Sequence, residues 1–180
     1  ACNYNTDATD DDGSCEYIDE CDICGGDNDC VWFEESVIST SADGARSIYA
    51  IDVDGDGDMD VLSASPNDNK IAWYENDGSA NFSEHIISTS AEGTQSVYAE
   101  DVDGDGDMDV LSASYVGDKI AWYENDGSEN FTERVISNSA DGARQVYAVD
   151  MDGDGDIDVL SACRYDAKVY WYENDGSENF

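Results

Sequence analysis

The sequence has few basic residues, a single histidine and no long hydrophobic run. Seven lysines and arginines stand against 44 aspartates and glutamates, which gives a formal net charge of −37 in 180 residues. Such a charge makes nucleic acids and anionic membranes poor partners and favours cations. No apolar stretch is long enough to insert into a bilayer, and no leader peptide is recognisable. Because His85 stands alone, no Ser-His-Asp or Cys-His arrangement can be assembled, and we expect no enzymatic activity.

A nine-residue acidic segment occurs three times, at residues 52–60, 101–109 and 150–158. The copies read DVDGDGDMD, DVDGDGDMD and DMDGDGDID, and they begin 49 residues apart. A fixed period of this size is typical of propellers, solenoids and repeat arrays. Aspartate at every second position can direct several carboxylates at one hard cation, and the glycines between them permit a tight turn. The segment therefore predicts about one calcium site per repeat.

The side-chain ligands are expected at the first, third, fifth and ninth positions of each segment. The seventh position is expected to offer its backbone carbonyl, by analogy with the seventh position of an EF-hand loop. The candidate metal residues are Asp52, Asp54, Asp56, Asp58, Asp60, Asp101, Asp103, Asp105, Asp107, Asp109, Asp150, Asp152, Asp154, Asp156 and Asp158. An EF-hand itself is excluded, because the glutamate it needs at position twelve is Ser63, Ser112 or Ser161. A solvated acidic turn without metal is the alternative, although carboxylates this close would repel one another.

Further motifs accompany each acidic segment. Tyr-Ala-x-Asp leads into it, Asp-Val-Leu-Ser-Ala follows it, and Trp-Tyr-Glu-Asn-Asp-Gly recurs at residues 73–78, 122–127 and 171–176. Over residues 33–180 this combination resembles the VCBS or FG-GAP-like repeats, whose calcium loops look like those of the integrin α-subunit propeller. The resemblance implies β-propeller blades of four antiparallel strands, with calcium bound between the first two strands, and it implies no enzymatic activity.

The residues themselves predict the same kind of blade. In the first repeat we expect strands at 47–51, 59–65, 70–76 and 82–88, with turns between them. The third strand has no polar face and should be covered on both sides, as happens when blades pack face to face. We interpret Trp73, Trp122 and Trp171 as packing residues, with a sugar-stacking surface as the alternative. The predicted fold is all-β, with three four-stranded antiparallel propeller-type blades built from calcium-binding repeats at residues 32–81, 82–130 and 131–180.

Residues 1–31 form a different, cysteine-rich module. Because this segment lacks a periodic apolar face, we expect disulfides to hold it together through some of Cys2, Cys15, Cys21, Cys24 and Cys30. The segment resembles short Cys-rich modules of large surface proteins from marine Bacteroidetes. Zinc binding by Cys21 and Cys24 is the less favoured reading, since no second well-spaced pair accompanies them. Cys163 replaces a repeated serine and is either a buried thiol or the partner of an odd N-terminal cysteine.

Disulfides and calcium modules both favour an extracellular or cell-surface location. Closed propellers use about four to eight blades, so we expect continuing repeats or other copies of the chain to extend these three, as a ring or a filament. The leading hypothesis is a non-enzymatic, calcium-binding structural or adhesive surface protein. A glycan-binding, lectin-like propeller and an accessory domain of a secreted polysaccharide-degrading enzyme are the alternatives.

Overall fold

The computed structural model describes residues 35–180, so the predicted cysteine-rich module at residues 1–31 lies outside the described range. Residues Ile38–Phe180 form one compact unit. Within the described part of the chain, no helix has the length and apolar character needed to cross a bilayer.

The described residues fold into eleven strands and no helix, arranged as three antiparallel sheets. Sheet 1 contains β1–β4, sheet 2 contains β5–β8 and sheet 3 contains β9–β11, each in sequence order. The strands are β1 Ser47–Ile51, β2 Asp60–Ser65, β3 Lys70–Asn76, β4 Phe82–Ser88, β5 Thr94–Glu100, β6 Asp109–Ser114, β7 Lys119–Asn125, β8 Phe131–Ser137, β9 Ala143–Val149, β10 Asp158–Cys163 and β11 Lys168–Tyr172.

The predicted all-β fold with four-stranded antiparallel blades is confirmed. The four strands expected in the first repeat occur where they were predicted, except that the second begins at Asp60 and not at Met59. Sheet 3 has three strands in the described residues, because the segment equivalent to β4 and β8 would begin at Phe180.

The sheets stack in sequence order, with one hydrophobic core between each neighbouring pair. We call the side of a sheet that faces the next sheet in sequence its forward face. In sheet 1 this face carries Leu62, Ile71 and Trp73, which pack in one core with Val97 and Tyr123 of sheet 2. The second core holds the equivalent forward-face residues of sheet 2, together with residues of sheet 3. Sheet 2, the middle sheet, is therefore covered on both sides, as its apolar third strand predicted.

The tryptophans show this stacking most clearly. Trp73 is fully buried and Trp122 is 1% exposed, so their interpretation as packing residues is confirmed. Trp171 occupies the same position in β11 but is 47% exposed. Its exposure follows from its place on the forward face of sheet 3, which no further sheet among the described residues covers.

Two sets of hydrogen bonds fix each sheet against the next. The backbone N–H of Gly93 donates to Oδ1 of Asn69 at 2.9 Å, and Gly142 N–H donates to Oδ1 of Asp118 at 2.8 Å. Asn69 and Asp118 adopt φ values of 57° and 49° just before the third strands, a conformation that Asn and Asp tolerate better than most residues. The turn that ends one hairpin is thereby fixed to the start of the next sheet.

The second set of hydrogen bonds joins the first strands of successive sheets. Ser47 Oγ accepts from the backbone N–H of Val97 at 3.3 Å, and Ser96 Oγ accepts from that of Val146 at 3.4 Å. Beside these contacts, the rings of Tyr49, Tyr98 and Tyr147 form a ladder along β1, β5 and β9, with neighbouring centroids 4.7 Å apart. The 49-residue sequence period thus becomes a regular stacking of one sheet on the next.

Cys163 lies at the end of β10, on the strand position that serine occupies in the other two sheets. It is a free thiol that is 7% exposed, and its Sγ lies 3.6 Å from Ser161 Oγ. Burial raises the pKa of this thiol. These observations agree with the buried-thiol interpretation.

Candidate metal centres

Each acidic segment forms the connection between the first and second strands of its sheet, where the resemblance placed the calcium. In the first two segments the first, third and ninth aspartates converge, with one carboxylate oxygen from each within 4.8 Å of the others. In the third segment the converging residues are the first, third and fifth. The three groups are Asp52, Asp54 and Asp60; Asp101, Asp103 and Asp109; and Asp150, Asp152 and Asp154.

The other candidate residues lie outside these groups. They are the fifth aspartates of the first two segments, the ninth of the third segment and the seventh of all three: Asp56, Asp105, Asp158, Asp58, Asp107 and Asp156. The side chains at the seventh position point elsewhere, which is compatible with a ligand role for their backbone carbonyls. That role stays a prediction.

The loop adopts its tight turn because its own carboxylates accept hydrogen bonds from its backbone N–H groups. Asp52 accepts hydrogen bonds from the N–H groups of Gly55 and Gly57, at 2.8 and 3.0 Å. Both glycines have positive φ, 77° and 96°, which an L side chain would rarely adopt. Asp54 accepts from the N–H of Asp56 at 3.1 Å in the same manner. The other two loops repeat these bonds, so alternating Asp and Gly close the turn and gather the carboxylates at one point.

The ninth aspartate connects the loop to the rest of the sheet. Asp109 is fully buried and accepts two backbone hydrogen bonds, from Val102 at 3.0 Å and from Asn125 at 2.8 Å. Asp60 and Asp158 make the equivalent pairs of bonds. The carboxylate therefore joins the start of its loop to the end of the third strand and anchors one metal candidate in the protein interior.

The electrostatics of the second loop favour a cation. Burial raises the pKa of Asp109 to about 7, although the N–H groups of Asn125 and Val102 act in the opposite direction, and the charge of Asp103 adds to the rise. The pKa of Asp103 is itself raised, first by burial and then by the neighbouring carboxylates Asp105 and Asp101. Both raised pKa values mean that the negative charges of these carboxylates are not balanced by nearby positive charge. A bound cation would supply that positive charge.

Aspartate pKa values are raised in the other two loops as well. The pKa of Asp54 is raised by burial and by the charges of Asp56, Asp60 and Asp52, against a hydrogen bond from the N–H of Asp56. For Asp152 the largest influence is the lowering effect of the Asp154 N–H, but burial and the surrounding carboxylates outweigh it and raise the pKa.

The Asn-Asp-Gly turn after the third strand supports each loop, a role that the sequence reasoning missed. Asn125 is 3% exposed, its side chain donates to the carbonyl of Met108 at 3.3 Å, and its Oδ1 accepts from the N–H of Gly127 at 3.2 Å. Gly127 has a φ of 70°, and a Cβ there would collide with the Asp107 carboxylate. The motif's constant distance from the acidic segment was the signal that could have revealed this contact.

The donor chemistry of the three groups suits a hard divalent cation. Every converging ligand atom is a carboxylate oxygen, and no histidine or cysteine contributes to the groups formed by the described residues. Oxygen-only sites select calcium or magnesium over zinc and copper, and flexible loops of carboxylates and carbonyls fit the higher coordination number of calcium. The residues present therefore fit a calcium ion.

Comparison with known proteins agrees with the fold and with the position of the loops. Residues 52–112 and 101–161 each match a family model described as an FG-GAP-like repeat. Each match begins at the first aspartate of an acidic segment and reaches the second strand of the following sheet, and together they span more than half of the 180 residues. No curated protein matches the chain.

Proposed function

The chain belongs to the FG-GAP-like repeat family, and from that we propose that it is a non-enzymatic, calcium-binding structural or adhesive domain of an extracellular surface protein. FG-GAP-like repeats are typically extracellular and generally structural. The observation that carries the calcium proposal is the convergence of three carboxylates in each of three equivalent loops. One calcium ion per loop is the simplest occupancy of this arrangement.

Calcium in these loops would act on the stability of the stack. When bound, the ion supplies positive charge to carboxylates that otherwise repel one another. In the second loop, Asp101, Asp103 and Asp109 would hold it, and Asp109 also holds the end of β7 through Asn125. The loop itself reaches the core between sheets 2 and 3, where Val102 is 2% exposed. Ligand binding at the loop would therefore stabilise both the sheet and its contact with the next sheet.

Calorimetric titration of calcium into the metal-free protein tests this proposal. We expect a stoichiometry of about three, matching one ion per loop. The variant Asp103→Asn should lose about one binding event. The matched control is Asp141→Asn, which removes the same charge from an exposed residue outside the loops. No saturable heat in the wild type, or an equal loss in both variants, would contradict the calcium sites.

The forward face of sheet 3 supports a second part of the proposal, namely that a further repeat or another copy of the chain packs there. Tyr147, Val169 and Trp171 are 48%, 79% and 47% exposed on this face, whereas their equivalents in sheets 1 and 2 lie against the following sheet. Apolar surface of this kind gains free energy when it is covered.

Light scattering in calcium tests the assembly. We expect a mass above that of one chain and a return to one chain's mass in Val169→Glu, because a charge in the middle of the contact would be costly to bury. The control Val116→Glu places the same charge on an exposed turn away from this face. A wild-type mass of one chain under all conditions would refute association between copies.

A further inference from the structure

The three repeats differ most visibly in the turn between the second and third strands. We call these turns the tip loops; they comprise residues 66–69, 115–118 and 164–167 and read PNDN, YVGD and RYDA. The adjacent strands repeat almost unchanged, as in DVLSAS, DVLSAS and DVLSAC. Variable loops on a constant scaffold are where recognition residues are commonly placed.

The second and third tip loops meet beside the start of β9 in a group of four side chains, which we call the arginine–tyrosine cluster: Tyr115, Arg144, Arg164 and Tyr165. The two tyrosine rings lie 5.4 Å apart and their hydroxyls are hydrogen-bonded to each other. The guanidinium carbon of Arg144 lies 5.1 Å from the Tyr115 ring centre, and that of Arg164 lies 5.6 Å from the Tyr165 ring centre. Cation–π contacts at these distances hold both guanidinium groups in place.

The backbone beneath the cluster is adapted to it. A Cβ at Gly142 would lie 2.7 Å from the Tyr165 ring and 3.4 Å from the Tyr115 ring, so only glycine leaves room for both tyrosines. The first repeat has no equivalent cluster, because Pro66 and Asn67 occupy its tip loop and Asn67 instead donates to Asp43 at 3.1 Å. The cluster is therefore particular to the junction of sheets 2 and 3.

The two arginines are unusual in a chain that has 44 acidic residues. Lys70, Lys119, Arg134 and Lys168 each form an ion pair with a carboxylate. Arg46, Arg144 and Arg164 form no ion pair with any described residue, and of these three only Arg144 and Arg164 lie over tyrosine rings. Among such an excess of carboxylates, two guanidinium groups held by tyrosines keep hydrogen-bond donors for an acceptor outside the chain.

The acids around the cluster are mostly engaged elsewhere. Asp118 accepts the N–H of Gly142 at 2.8 Å, and Asp166 accepts the hydroxyl of Tyr170 and lies 3.6 Å from the ammonium of Lys168. Asp141 is exposed, so some repulsion of an anion remains. The overall charge of −37 adds a long-range repulsion that a polyanion would meet more strongly than a ligand carrying one or two charges.

We propose that the arginine–tyrosine cluster binds a short acidic saccharide. Guanidinium groups bind carboxylates through paired, charge-assisted hydrogen bonds, which assigns the sugar carboxylate to Arg144 and Arg164. The ring of Tyr165 lies beside the Arg164 guanidinium, and this residue is 62% exposed. This apolar surface beside the charges suits the C–H face of a pyranose ring, whereas an acidic peptide would need only the charges.

Binding of digalacturonate, followed by NMR chemical-shift titration in calcium, tests the proposal. The matched probe is its methyl ester, which keeps the rings and removes the carboxylate charge. We expect the acid to bind at least about tenfold more tightly than the ester, the usual scale for a charge-assisted contact. Arg144→Gln and Arg164→Gln should each weaken binding of the acid by about tenfold. Arg46→Gln is the control, because Arg46 holds the position of Arg144 in a repeat without the tyrosines.

Three results would overturn the proposal. Equal affinity for acid and ester would show that the charge is not recognised, a comparison that requires no variant to fold. Equal affinity for a glutamate dipeptide would show that the sugar ring is not recognised. Binding that survives both arginine variants would place the carboxylate on calcium in the loops instead, where Asp103→Asn and not Arg144→Gln would weaken it. Loss of calcium binding alone would leave the arginine–tyrosine cluster intact, so the two proposals fail separately.

Discussion

The buried carboxylate of Asp109 gives the calcium-free protein an unusual dependence on pH. In the fold its pKa is raised from an ordinary 3.8 to about 7, mainly by burial. A carboxyl whose pKa is higher in the folded state than in the unfolded state favours folding while it is protonated. Its stabilising contribution is complete below the unfolded pKa and is lost as the pH rises through about 7. We therefore predict that the calcium-free protein becomes less stable between pH 5 and pH 7.5.

The two pKa values set the magnitude. Linkage between proton binding and folding gives a loss of about 2.5 kcal/mol from this one group between pH 5 and pH 7.5. For a chain of this size that corresponds to about 5–10 °C in melting temperature. A bound calcium ion favours the charged carboxylate, so saturating calcium should abolish most of the dependence and raise the melting temperature more at pH 7.5 than at pH 5.

Other carboxylates do not reverse this trend. The pKa values of Asp54, Asp103 and Asp152 are also raised, so their contributions have the same sign. The pKa values of Asp77 and Asp126 are lowered, principally by hydrogen bonds from the side chains of the asparagines four residues later. A carboxylate of this kind loses its stabilising effect only as the pH falls towards and below the ordinary pKa of an aspartate. Those groups stay charged throughout the tested range.

Scanning calorimetry of dialysed, metal-free protein at the two pH values measures the effect directly. A chelator is unsuitable as the only means of removing calcium, because its own affinity depends on pH. The variant Asp109→Asn provides the control: it cannot titrate, so its melting temperature should change much less between the two values, even though the variant is less stable overall. A metal-free wild type that is equally stable, or more stable, at pH 7.5 would refute the reasoning.

Three further pairs of substitutions test the packing. Gly127→Ala should lower the melting temperature more than Gly104→Ala. Both glycines have positive φ, so either alanine should cost about 1 kcal/mol of stability, but only the Cβ at position 127 would collide with Asp107. Equal losses of stability would refute that contact. Trp122→Ala should cost about 3–5 kcal/mol in urea unfolding, whereas Trp171→Ala, half-exposed, should cost far less; similar costs would mean that sheet 3 is covered as sheet 2 is. Ser96→Ala should cost about 1 kcal/mol through the lost bond to Val146, and Gln145→Ala close to nothing; the reverse order would contradict the inter-sheet register.

The repeat made much of the fold predictable from the sequence. Strand positions followed from the turns that separate them, and the apolar succession at Ile71, Ala72, Trp73 and Tyr74 correctly indicated a strand buried on both faces. The acidic segments located the candidate metal centres, because the alternation of Asp and Gly determines both the turn and the direction of the carboxylates. Turn positions, apolar succession and the alternation of Asp and Gly are local properties, and they can be read from the spacing of residues in the sequence.

What the sequence could not provide depends on contacts between distant residues. The spacing between the two motifs is constant, but neither motif by itself shows that Asp109 bonds to Asn125, sixteen residues later, or that a side chain at Gly127 would meet Asp107. The third metal group contains Asp154 in place of the ninth aspartate, and this difference cannot be predicted from three nearly identical segments. Met151 is 56% exposed there, whereas the equivalent valines are buried in the cores between sheets. The surroundings of the third loop therefore differ although its sequence is nearly the same.

The contacts between sheets also show that the three forward faces are not interchangeable. Asn69 and Asp118 supply side-chain acceptors to the next sheet, but Ala167 holds that position in sheet 3 and has none. Gln145 likewise replaces the serine that accepts a backbone N–H at each earlier junction. A unit packed on sheet 3 would find the apolar surface of the earlier junctions, but no side-chain acceptor at Ala167 and the longer amide of Gln145 in place of a serine hydroxyl. The N–H group of that unit equivalent to those of Gly93 and Gly142 must therefore find another acceptor, and this requirement distinguishes the unit from sheets 2 and 3.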